Sequence, residues 1–130
     1  MTVVPFRSSQ QPTVLCVDDE AAALQLRRLV LEKAGFLVYT AATASEAMQI
    51  VRAQRLDLVL TDYYLDGVTG GELARAVKDE HPHLKVAIYS GALELPADAG
   101  HADVVITKAE GASAMVDEIR ALLKRKRTAA

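Results

Sequence analysis

The chain has 130 residues, about half of them apolar, with a single cysteine and a formal net charge of −2. That length suits one domain with a core large enough to fold without staples. One cysteine excludes an intrachain disulfide, the lack of any apolar run of about 18 residues argues against a membrane span, and the charge gives no overall pull toward nucleic acid.

Residues 1–12 carry two prolines, two serines and two glutamines, with only Val3, Val4 and Phe6 to bury. They are expected to be a flexible extension. They lack the basic segment and long apolar stretch of a secretory signal. The domain is expected to span residues 13–124. Its first strand is the apolar run Val14-Leu15-Cys16-Val17. Cys16 reads as a small buried hydrophobe and fits a reducing, cytoplasmic compartment. Residues 20–34 read as a helix with Ala22, Leu26, Leu29 and Val30 on its buried face and Gln25, Arg28 and Glu32 facing away. Gly35 is placed to end it in a left-handed conformation.

Residues 36–40 form a short second strand. Thr43 with Glu46 makes a capping-box pattern for a second helix that buries Ala47, Ile50 and Val51. Strand three covers residues 56–61, and a loop covers 62–70. Thr69 with Glu72 repeats the capping pattern for a third helix running to residue 80, closed by Pro82. Strand four covers residues 84–89. The stretch 93–100, broken by Pro96, holds at most two helical turns. Strand five covers 103–107. The last helix, 112–124, puts Val116, Ile119 and Leu123 on one face with Met115 and Leu122 beside them. A basic tail, 125–130, follows. Near-continuous apolar strands alternating with helices predict a parallel sheet covered on both faces, in a doubly wound three-layer α/β sandwich.

Four of the apolar runs end in polar residues suited to phosphate or metal. Asp18 and Asp19 follow strand one, Asp62 follows strand three, Ser90 follows strand four and Lys108 follows strand five. In an open α/β sheet all of these converge in the crevice beyond the carboxyl ends of the strands, where ligands bind. Three carboxylates, a hydroxyl and an ammonium there suggest a divalent cation and a phosphoryl group.

Together these motifs resemble the receiver domain of bacterial response regulators: an acidic pair after strand one, a lone aspartate opening a D-x-x-L-x-x-x-x-G loop, Ser-Gly after strand four, and lysine after strand five. The resemblance covers residues 13–124 and implies the flavodoxin-like strand order 2-1-3-4-5. It further implies that Asp62 accepts a phosphoryl group from a sensor histidine kinase or phosphotransfer protein. Mg²⁺ is then held by Asp18, Asp19, Asp62 and the backbone carbonyl of Tyr64. Lys108 pairs with the phosphoryl group, and Ser90 donates its hydroxyl to it. Magnesium demands such hard oxygen ligands. A carboxylate needs a good leaving group and charge neutralisation to act as a phosphoryl acceptor.

Three positions depart from the family pattern. Ala109 stands where the family has proline, and a cis bond before a non-proline residue costs roughly 3 kcal/mol, so a trans Lys108–Ala109 bond is expected. Val105 stands where the family often has an aromatic ring that moves with the switch hydroxyl. The segment between Ser90 and Lys108 is short, so the fourth helix should be stunted, which weakens the case for partner binding or homodimerisation through that face. Tyr64, two residues after Asp62, can overhang the phosphorylated side chain and hinder hydrolysis, whereas Ala92 offers no acid to orient water.

His81, His83 and His101 lack the partners of a metal site. The cations of residues 124–127 suit a helix C-terminus. No DNA-binding segment is discernible after the last helix. The expected function is a stand-alone receiver that signals to an unidentified output protein through contacts and acts on no external substrate. The alternative is a degenerate receiver that binds partners without phosphorylation. A Mg²⁺-dependent phosphatase is disfavoured, because Tyr64 occupies the position of its second aspartate. A flavin site is disfavoured because no Ser/Thr/Gly-rich phosphate loop follows strand one.

Overall fold

The chain runs β1 (Thr13–Val17), α1 (Ala21–Lys33), β2 (Leu37–Ala41), α2 (Ala44–Ala53), β3 (Leu58–Asp62), β4 (Tyr64–Leu65), β5 (Val68–Thr69), α3 (Gly70–Glu80), β6 (Lys85–Ser90), β7 (Val104–Thr107) and α4 (Gly111–Lys124). A 3₁₀ segment, Ala97–His101, lies between β6 and β7, and a 3₁₀ turn, Lys108–Glu110, precedes α4. This structure, a computed structural model, describes residues 11–92 and 94–125. The expected extension therefore lies outside the described residues except for Gln11 and Pro12, and the basic tail except for Arg125.

Five strands form one parallel sheet in the order β2-β1-β3-β6-β7. Counting only these five, that is the expected 2-1-3-4-5. Central β1 explains its own sequence. Val14 and Cys16 point to one layer, Leu15 and Val17 to the other, and all four are fully buried. A strand covered on both faces has no polar side to alternate. The first layer is closed by Leu31 of α1 and by Met115, Val116, Ile119 and Leu122 of α4. The second is closed by Ala47, Met48 and Val51 of α2 and by Leu73, Ala74 and Val77 of α3. At the opposite edge of the sheet two carboxylates cap amides at or next to a strand start. Asp57 accepts from Thr13 N–H at 2.8 Å and Asp103 from Val86 N–H at 2.7 Å.

The expected face of α1 holds at Val30, which packs on the first layer, and fails at Ala22, Leu26 and Leu29, which are exposed. Leu26 and Leu29 are 65% and 53% exposed, while Arg27 is 7% exposed and Leu31 is fully buried. The inward stripe is Leu24, Arg27 and Leu31, spaced i, i+3, i+7. An arginine fits there only because it meets a carboxylate and an aromatic ring, described below.

Smaller differences have simple causes. Ile50 is only partly buried, and Met48 takes its place beside Ala47 and Val51. The 62–70 loop contains a two-residue hairpin, β4 on β5, which turns through Gly67 at φ 78°. Strands that short leave no periodic trace. The stunted fourth helix is the five-residue 3₁₀ segment, with Pro96 at its start. Gly35 has φ 102° and ends α1 as expected. Thr69 and Glu72 form a complete capping box on α3. At α2, Thr43 accepts from Glu46 N–H, but the Glu46 carboxylate takes the amide of Ala42, one residue further back.

The start of α3 is pressed against the strand that carries Asp62. Gly70 N–H donates to the Tyr63 carbonyl at 2.5 Å. A Cβ on Gly70 would run into the Asp62 carbonyl oxygen and lie 3.0 Å from Tyr63 Cα, both rigid backbone atoms. Gly70→Ala should therefore destabilise the fold by roughly 1–3 kcal/mol through overpacking. Gly91→Ala, with nothing within 4 Å of the added carbon, should be close to neutral. Urea unfolding of the two variants measures the contrast.

Candidate functional site

The sheet register alone gathers the predicted residues. Val17 pairs with Thr61, so Asp18 and Asp62 leave their strands at the same level. Asp62 pairs with Tyr89, so Ser90 ends β6 one step beyond. Ser90 pairs with Thr107, so Lys108 follows one step beyond that. Four strands thus deliver their terminal polar groups to one edge. Asp62 is the last residue of β3 rather than the first of the loop, which makes its backbone part of the sheet.

Asp62 and Lys108 meet directly, with Nζ 3.5 Å from Oδ2. The other carboxylate oxygen, Oδ1, accepts from Tyr63 N–H at 2.8 Å. The Thr61 hydroxyl donates to the Asp62 carbonyl at 2.8 Å. Ser90 is buried, and its Oγ accepts from Ala92 N–H at 3.1 Å. The Lys108–Ala109 bond is trans, since no cis peptide occurs among the described residues. Val105, in the place of the absent aromatic ring, is 45% exposed.

The acidic pair is split by its surroundings. Asp18 is buried and both its oxygens have donors, Oδ1 from Glu20 N–H and Oδ2 from the Arg27 guanidinium, each at 2.9 Å. Asp19 is exposed, and no hydrogen bond or ion pair holds its carboxylate among the described residues. No trio of His, Cys, Asp and Glu side chains among the described residues is drawn together tightly enough to form a ready-made metal cage. The ligands expected for Mg²⁺ are nonetheless all oxygen: the carboxylates of Asp18, Asp19 and Asp62 and the backbone carbonyl of Tyr64. Those are hard ligands, and few of them, which suits an ion that keeps several of its own waters.

Three participants escaped the sequence: Arg27, the Tyr89 ring and Asp98. Arg27 pairs with Asp18, and its guanidinium carbon lies 4.9 Å from the centre of the Tyr89 ring. Lys108 Nζ lies 5.5 Å from the same ring. The signal for Arg27 was its place on the Leu24/Leu31 stripe. The third is Asp98, in the 3₁₀ segment. It accepts from the Tyr63 phenol at 2.5 Å and from the Thr69 hydroxyl at 2.6 Å. One carboxylate thus clamps the residue after Asp62 and the cap of α3 to the β6–β7 connection. Its partners lie 35 and 29 residues away, beyond any local motif. Gly71 admits the clamp, since a Cβ there would come within 2.6 Å of the Asp98 backbone. Cys16 is fully buried, and burial pushes its thiol up to about 12.

Fold and pocket define a receiver of the two-component type, and the chain belongs to that family: the response regulator receiver domain profile matches residues 14–120. The family is a phosphorylation-based signalling module. Among curated relatives, the chain is 36% identical over 120 residues to the transcriptional regulatory protein YvrH of Bacillus subtilis, covering 89% of this chain and 51% of that one. It is 29% identical over 116 residues to the cell cycle transcriptional regulator CtrA of Caulobacter vibrioides, covering 86% and 50%. The chain spans about half the length of the curated relatives it matches. Among solved structures, a CheY-like receiver domain protein from Methanospirillum hungatei aligns with a TM-score of 0.80 at 27% identity, covering 88% and 94%. The response regulator TrrA of Thermotoga maritima, solved with Mg²⁺ and BeF, aligns at 0.81 and 22% identity, covering 86% and 99%, a likeness of fold. Among the described residues no helix is long and apolar enough to cross a membrane.

The clamp sets a pH signature. Hydrogen bonds from Thr69 and Tyr63 lower the Asp98 pKa, and the bond to Asp98 raises that of Tyr63. A lowered carboxylate contributes stability above its unfolded value, near 3.9, and loses it as pH falls through the folded value. A raised phenol contributes below its unfolded value, near 10, and loses it as pH rises through the folded value. Asp98→Asn should thus unfold at lower urea at pH 7 and show a shallower loss of stability below about pH 4. Urea midpoints measured from pH 2.5 to 7 test both parts.

Proposed function

We propose that this chain takes a phosphoryl group onto Asp62 from a histidine kinase or phosphotransfer protein in the cytoplasm and signals by protein contacts. The observation that carries this is the Asp62–Lys108 pair at 3.5 Å, set at the sheet edge where Asp19 and Ser90 also end. Asp62 Oδ2 is the oxygen that attacks phosphorus. The P–N bond of the donor phosphohistidine breaks, and its electron pair returns to the imidazole. Lys108 then follows the charge from the carboxylate to the phosphoryl oxygens, and Ser90 turns its hydroxyl from the Ala92 amide toward one of them. Mg²⁺, held by Asp19, Asp62 and the Tyr64 carbonyl with Asp18 behind them, would neutralise charge on the transferring group.

The full-length relatives are transcriptional regulators about twice as long, so a stand-alone signalling role is part of the proposal. A second function, partner binding without phosphorylation, is favoured by one observation: Asp18 is already committed to Arg27. Incubation with Mg²⁺ and acetyl phosphate, followed by intact mass measurement, separates the two. The proposal expects one added phosphoryl group, none in Asp62→Asn, and labelling slowed of order a hundredfold in Lys108→Ala, the usual effect of losing one charge-stabilising donor. An unmodified mass in the unaltered chain supports the second function.

Tyr64 is 60% exposed, and its ring stands edge-on to Tyr63 with centroids 4.8 Å apart. That posture suits a lid over the phosphorylated side chain. Tyr64→Ala should shorten the lifetime of the phosphorylated form several-fold, followed by phosphate release after donor removal. An unchanged lifetime would show that the ring merely covers the loop.

A further inference from the structure

Arg27 occupies a position that apolar packing would fill with leucine. Burying a guanidinium is costly unless charge and hydrogen bonds compensate it. Both are present: Asp18 Oδ2 at 2.9 Å, and the Tyr89 ring face at 4.9 Å. These contacts aim the cation at the phosphoacceptor pocket.

The consequence is electrostatic. Asp18 has one oxygen on the guanidinium and the other on the Glu20 amide, so each oxygen already has a donor, one of them a full positive charge that a second cation must compete with. Three carboxylates, Asp18, Asp19 and Asp62, face two cations, Arg27 and Lys108, so the pocket carries a net charge of minus one. Without Arg27 it would carry minus two. A divalent cation is drawn by that charge. Both cations lie near the Tyr89 ring, 4.9 Å for Arg27 and 5.5 Å for Lys108 from its centre, and Tyr89 precedes Ser90. Arg27 therefore also braces the ring beside which Lys108 is held.

We propose that Arg27 is a positioning residue of this pocket: it withdraws Asp18 from metal binding, leaves Asp19 and Asp62 as the carboxylates that hold Mg²⁺, and so weakens the pocket's affinity for the ion. This rests on the phosphoacceptor function proposed above. A purely structural arginine would affect stability alone.

The test is a titration of the full, unphosphorylated chain with MgCl2 at constant ionic strength, followed through the amide resonances of Asp19 and Asp62. Arg27→Met, close in volume and neutral, should bind Mg²⁺ roughly tenfold more tightly than the unaltered chain, the scale of one unit charge beside the site. Arg27→Lys, which keeps the charge, should bind as the unaltered chain does. If Arg27→Met does not fold, Arg27→Gln keeps a donor for Asp18 without the charge and should tighten binding in the same direction. Mg²⁺ should also raise the melting temperature more in the neutral variants than in the unaltered chain. Equal affinity in the unaltered and neutral forms overturns the role of Arg27 and leaves the phosphoacceptor reading intact. No Mg²⁺ response at Asp19 or Asp62 in any form overturns the metal pocket itself, and this inference with it.

Discussion

The register of the parallel sheet is the constraint on which the pocket depends. β3 runs one residue past β1, β6 ends one residue later again, and the lysine follows β7, which ends level with β6. A slip of one residue in any pair would turn a site side chain to the opposite face. The register is held by the two packed layers, because each central strand commits alternate residues to each of them. It is also held at the far edge, where Asp57 fixes the first amide of β1 and Asp103 the second of β6. The same alternation that builds the core therefore aims the chemistry.

Around the pocket, charge is balanced by specific partners. Lys108 answers Asp62, Arg27 answers Asp18, and both cations lie near the ring of Tyr89. Breaking a buried pair strands the remaining charge, which costs far more than an exposed pair is worth. Arg52 with Glu80, an exposed pair joining α2 to α3 at 2.8 Å, belongs to the weaker kind. The Asp98 clamp adds a neutral–charged link between the segment after Asp62 and the β6–β7 connection. With Val105 in the place of a mobile aromatic ring, this clamp is a direct side-chain hydrogen-bonded bridge between those two segments.

The fold and the strand-end residues were legible because each followed a short apolar run, and such a run fixes both a strand and its terminus. The α3 cap was legible because its pattern is local. Arg27 was not, since a charged residue in an amphipathic helix is assigned to water unless its partner is known, and Asp18 lies nine residues away on another element. The inward stripe was misread for the same reason: Leu26 and Leu29 look like core until Arg27 claims the face. Asp98 was invisible because its partners are far off in sequence, and the β4–β5 hairpin because two residues have no period.

Cys16 adds a practical property. Its backbone runs between β2 and β3, its sulfur is sealed in the layer under α1 and α4, and its thiolate is suppressed. The thiolate is the form that attacks an alkylating reagent, so the folded chain should be nearly inert to such reagents. With no second thiol to compete, the rate of modification becomes a clock for the rare openings that expose the centre of the molecule.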